Sequence, residues 1–164
     1  MTPAGHANAM CTILAKNYIA HARTLIRSFQ ALHPECACYA LIVDDHNAFL
    51  NPHEEGFDIL ALSDLDIVNV PSFCFKYNLT ELCTAAKPYL LNHLIQQRGV
   101  KKLLYLDPDI MPSRTSHRNL TRAATSGTPS FKRAPPGISP DSVPRISGTS
   151  WIACSGTRTS RSIR

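Results

Sequence analysis

The run Leu103-Leu104-Tyr105-Leu106 ends abruptly in Asp107-Pro108-Asp109. Four consecutive apolar residues with no alternation suit a strand covered on both faces, as in a parallel sheet flanked by helices. Two carboxylates one residue apart at the end of such a strand suit a polar crevice. Two earlier runs have the same form. Cys11-Thr12-Ile13-Leu14-Ala15 stops at Lys16-Asn17-Tyr18, and Tyr39-Ala40-Leu41-Ile42-Val43 stops at Asp44-Asp45. Between those two runs, Ile19, Ala22, Leu25, Ile26, Phe29 and Leu32 recur at helical spacing, with Arg23, Arg27 and Gln30 on the opposite side. His33-Pro34 ends that helix. Strand, helix, strand is the crossover unit of parallel sheets. The expected fold is therefore α/β: a Rossmann-like, mostly parallel sheet flanked by helices. In open sheets of this kind, ligands bind beyond the carboxyl ends of the strands.

The middle of the chain is less regular. Phe57-Asp58-Ile59-Leu60 predicts a short strand and Ser63-Asp64-Leu65 a helical turn. Residues 71–79, with Phe73, Phe75 and Tyr77, read as an aromatic-rich loop. Thr80-Glu81 then opens a helix to about Gln97. Pro88 inside it implies a kink or a restart, and Arg98-Gly99 closes it. Residues 1–10 read as a frayed leader. They lack the basic start and apolar run of a signal peptide, and no stretch reaches membrane-spanning length. The six cysteines form no C-x-x-C pair, and Cys36-Ala37-Cys38 is too close for the usual zinc spacing. The expectation is a reduced, cytoplasmic protein without structural disulfides, with Cys11 and Cys83 as small buried residues.

Charge divides the chain at about residue 110. Residues 1–110 carry 8 Lys and Arg against 11 Asp and Glu, a balance of −3. Residues 111–164 carry 9 against 1, a balance of +8; together these make the chain's 17 and 12. The tail is crowded with Ser, Thr, Pro, Gly and Arg and keeps no period, so it is expected to be disordered. One reading is a natural basic tail that contacts nucleic acid, but it lacks interleaved aromatics and any reader motif. The preferred reading is a lost coding frame near residue 111, which in a GC-rich gene yields Arg, Ser, Thr, Pro and Ala without pattern.

Carboxylates at i and i+2 after a strand can share one hard divalent cation, Mg²⁺ or Mn²⁺, which can also bind the phosphates of a substrate. The plain alternative is a solvated turn. The block Tyr105-Leu106-Asp107-Pro108-Asp109-Ile110 resembles the Asp-x-Asp segment of GT-A-fold glycosyltransferases, especially those similar to glycosyltransferase family eight. Thr12–Tyr18 with Arg27-Ser28-Phe29, Val43-Asp44-Asp45, and Thr80–Pro88 also resemble bacterial sugar transferases of this fold. The resemblance covers about residues 10–110, a nucleotide-sugar-binding half domain. It implies a transferase that moves a sugar from a nucleotide diphosphate, most often UDP, to an unknown acceptor, with Mn²⁺ or Mg²⁺ on the diphosphate.

Carried over, Asp107 and Asp109 would hold the metal, with Asp107 also near the donor ribose or sugar. Ala15, Asn17 and Tyr18 would line the donor, with Ala15 and Tyr18 by the base. Tyr18 would stack on that base, or else be an amphipathic residue at the helix start. Lys87 would face the donor as a cation, or else be a solvated lysine. Asp44 and Asp45 would touch donor or acceptor, or cap the next segment. Such enzymes continue well past the motif, with an acceptor pocket and commonly a histidine as third metal ligand. His117 stands in a context unlike that continuation. His21, His33, His46, His53 and His93 read as surface or capping residues. The sequence thus resembles a donor-binding half without its acceptor half, and it names no catalytic base or nucleophile. The alternative is a non-catalytic nucleotide-binding or interaction module whose basic tail contacts nucleic acid.

Overall fold

The computed structural model describes residues 7–44, 50, 54–110 and 150–154, the last five as backbone only. Expectations that fall on Asp45, His46, His53, His117 and the rest of 111–149 and 155–164 lie outside the described residues. β1 (Asn8–Leu14), β2 (Ala37–Ile42), β3 (Asp58–Ala61) and β4 (Lys102–Leu106) form a parallel sheet in the order β3-β2-β1-β4. A fifth strand, β5 (Ser150–Cys154), adds parallel to β4. Five tail residues therefore take a strand position, where composition alone predicts no structure. Trp151-Ile152-Ala153-Cys154 is a local apolar run hidden in the polar, basic composition of the tail, and it pairs with Leu103–Leu106.

β1 lies centrally, and its register explains why it is longer than expected. Ala9 pairs with Ala37 of β2, and Asn8 pairs with Lys102 of β4. Residues 8–10, expected as part of a frayed leader, are held in the sheet, Ala9 and Met10 from both sides and Asn8 by β4. Period-two side-chain alternation sends β1 residues to two cores. Met10 and Leu14 pack with Ala22, Leu25, Ile26 and Phe29 of α1 (Ile19–Gln30). Ala9, Cys11, Ile13 and Ala15 pack on the other face with Leu82, Ala86, Leu90, Leu91 and Leu94 of α3 (Leu79–Gln96). Each of these leucines contributes about 1.5–3 kcal/mol when fully buried. Helices on both faces are why the strands read as continuous apolar runs rather than alternating ones. Thr12 is the one polar residue in this described core, fully buried, with its Oγ1 lacking a hydrogen-bond partner.

The helices differ from expectation at their ends and in one case in kind. α1 stops at Gln30, followed by a turn in which Leu32 and His33 both donate to the Phe29 carbonyl. α3 begins at Leu79 because Asn78 caps it: its side chain accepts from the Glu81 N–H at 3.0 Å, and the Glu81 carboxylate accepts from the Asn78 N–H at 3.1 Å. It runs through Pro88 without ending. Gly99, at φ +67°, turns the chain out of the helix in a region where glycine is favoured. Residues 71–79 are not a simple loop. Val70–Phe75 form α2, capped by the Asn69 side chain on the Ser72 N–H, with Pro71 in the first turn. Two 3₁₀ turns, Lys16–Tyr18 and Leu62–Asp64, follow β1 and β3. No described helix is long and apolar enough to cross a membrane.

Candidate functional site at the β1–β4 crevice

The chain builds outward from β1 through β2 to β3, then crosses to the opposite side of β1 to place β4. Strand order reverses between β1 and β4, so the crossover connections diverge there and leave a crevice at the carboxyl ends. Ala15–Tyr18 leave β1 at that crevice, and Asp107–Ile110 leave β4 beside them. The latter close a tight turn, with the Ile110 N–H donating to the Asp107 carbonyl at 3.1 Å and Pro108 in the second position. The turn expected from composition and the crevice expected from the fold are the same four residues.

Asp107 is held from two sides. Tyr105 and Asp107 are two residues apart and point the same way. The Tyr105 hydroxyl donates to Asp107 Oδ1 at 2.8 Å. Burial pushes the Tyr105 phenol well above its ordinary range, and the neighbouring carboxylate adds to this, so it stays a donor. Lys87, on α3, places Nζ 4.0 Å from the same oxygen and 3.9 Å from the centre of the Tyr105 ring. Both side chains of the ion pair are about a quarter exposed. Pro88, next in α3, is buried, so this part of the helix lies against the protein while Lys87 faces the crevice.

Asp109 is exposed and meets different neighbours. With Pro108 and Ile110 it lines an open cleft of about 300 Å³ against Ala20, His21, Thr24 and Leu25 of α1. His21 is in turn against Tyr18, with ring centres 5.1 Å apart. Asp107 thus engages the α3 side and Asp109 borders the α1 side.

The other expected residues fall at the same end of the sheet. Ala15 is buried, and its carbonyl accepts from the Tyr18 N–H at 2.9 Å, which closes the turn that presents Asn17 and Tyr18. Both are exposed. Asp44, after β2, accepts from the Lys16 N–H at 2.8 Å. It thereby holds the turn after the neighbouring strand, because parallel pairing brings the two strand ends level; the segment after Asp44 lies outside the described residues. Cys83 on α3 is half-buried rather than fully buried; burial, and secondarily Asp44, raise its thiol pKa. Tyr105, His21 and Pro108 are site residues that sequence reasoning missed. The spacing of Tyr105 and Asp107 along one strand was the available signal.

Two carboxylates are fewer ligands than a hard cation needs, and Asp107 and Asp109 form no group of three with another described His, Cys, Asp or Glu. Asp107 is engaged by Tyr105 and Lys87, while Asp109 borders the cleft against α1. The described group that does bring three ligating side chains together is His33, Glu35 and Cys36, at the opposite end of the sheet. No family model, curated protein or solved structure matches the chain.

Proposed function

We propose that residues 8–110 form the donor-binding half of a glycosyltransferase, taking a nucleoside-diphosphate sugar with Mn²⁺ or Mg²⁺ at Asp107 and Asp109. The observation that carries this reading is the position of Asp-x-Asp at the β1–β4 reversal, with Lys87 beside Asp107. Such crevices take the phosphates of nucleotides, and a cation–carboxylate pair there suits a dianionic diphosphate. When bound, the metal would supply charge neutralisation at the departing diphosphate.

The chain's own residues divide the work. Tyr105 fixes Asp107 through Oδ1. Lys87 is within reach of a phosphate oxygen as well as of Asp107. Exposed Tyr18 offers a ring for a base to stack on, and Asn17 adds hydrogen-bonding groups beside it. The Asp109 cleft, with His21 on its far wall, is open enough to admit the sugar.

Calorimetry of the full chain with UDP, UDP-sugars and ATP, each with and without Mn²⁺, tests this. UDP compounds should bind only with metal. Asp107→Ala with Asp109→Ala should weaken that binding by more than the roughly 10–100-fold typical of changes around a metal's ligands. Nucleotide binding indifferent to Mn²⁺, or unchanged in the double variant, would leave a non-catalytic module as the better reading.

A further inference from the structure

The turn from α1 into β2 carries His33-Pro34-Glu35-Cys36, which the crevice does not use. The Cys36 N–H donates to the His33 carbonyl at 3.2 Å, closing a four-residue turn with Pro34 in its second position. The His33 ring is held against Phe29, with centres 4.8 Å apart. Phe29 is itself buried in the core beneath α1. Three different ligating atoms therefore gather on one rigid turn.

Their spacing is informative. Glu35 Oε1 is 3.5 Å from Cys36 Sγ and 3.6 Å from His33 Nδ1. All three ligand atoms lie within 4.8 Å of one another. A tetrahedral zinc site with ordinary Zn–S, Zn–N and Zn–O bonds has ligand-to-ligand edges of about 3.3–3.7 Å, the longer ones involving sulfur. Two of the three edges are already close to these lengths, and both meet at one carboxylate oxygen.

We infer that His33, Glu35 and Cys36 form a second metal site, for Zn²⁺ or a similar borderline cation, at the amino end of the sheet. An imidazole, a carboxylate and a thiolate together favour zinc-like ions over Mg²⁺ or Ca²⁺, which want oxygen alone. Binding replaces the thiol proton, which leaves to solvent, and forms a metal–sulfur bond. Three protein ligands leave a fourth position for water, and the exposed Glu35 side chain keeps that position open to solvent. The site lies wholly on the turn between α1 and β2, and it is independent of the glycosyltransferase reading.

Cobalt(II) is the probe, added to the reduced full chain carrying Asp107→Ala and Asp109→Ala so that the crevice carboxylates do not compete. The expected result is a sulfur-to-cobalt charge-transfer band with tetrahedral d–d bands, saturating near one equivalent and displaced by zinc. Cys36→Ser should abolish the charge-transfer band, His33→Ala should weaken cobalt binding at least tenfold, and Cys38→Ser should leave the band in place. Circular dichroism confirms that each variant is folded. No sulfur band at millimolar cobalt, a band that survives Cys36→Ser, or a band lost from folded Cys38→Ser would each overturn the site.

Discussion

His93 shows how one residue's surroundings set a property of the whole chain. It lies in α3 with its Nε2 buried and unpartnered among the described residues. Burial lowers its pKa first and the Arg98 charge second, while Asp64 works in the opposite direction. The folded form therefore resists a proton that the unfolded chain accepts near its ordinary value of about 6.5. With the folded pKa below the unfolded one, the unfolded state holds more protons as pH falls through that window, so stability falls with it. Urea midpoints measured from pH 7.5 to 5 should decline on the acid side, and His93→Gln should show a shallower decline than the parent. Equal slopes would mean that His93 titrates as it does in the unfolded chain.

The elements were legible where they are long and periodic. α1 and α3 announce themselves by apolar residues every three to four positions, and the sheet by its uninterrupted runs. α2 did not, because six residues complete fewer than two turns and show no period. Its readable signals were the Asn69 cap and Pro71 in the first turn. The start of α3 was misplaced by a residue for a similar reason, since Asn78 rather than Thr80 satisfies the free N–H groups. Asn78→Ala should cost about 1 kcal/mol, read from the urea midpoint at constant slope. Asn78→Gly should cost only a few tenths, because the smaller residue lets water reach the same N–H groups.

At the scale of the molecule, the sheet separates two sets of side chains. The crevice carboxylates stand at the carboxyl ends of the strands, and His33, Glu35 and Cys36 precede the amino end of β2. Six residues of β2 span about 20 Å, beyond the range at which separate changes usually interact. Mn²⁺ affinity at the crevice, followed by electron paramagnetic resonance, should therefore change less than about twofold in Cys36→Ser. The two sets differed in legibility for a topological reason. Asp107 and Asp109 are neighbours in the chain and visible as a motif. Lys87 reaches Tyr105 only because α3 packs over β4's face, which no local pattern records. His33, Glu35 and Cys36 are close in sequence too, but their spacing matches no familiar zinc signature, and only the turn brings their atoms together.

The central position of β1 has a further consequence in the making of the protein. One edge of β1 can pair with β2 soon after synthesis. The other must wait for β4, whose partner residues lie roughly 90 positions later. At about 5–20 residues per second, that is on the order of 5–20 seconds during which an apolar strand edge has no native partner. The nascent chain therefore passes through a half-sheet able to pair with another copy of itself. A bound chaperone would protect it during that interval, and the crevice between β1 and β4 cannot exist until the interval ends.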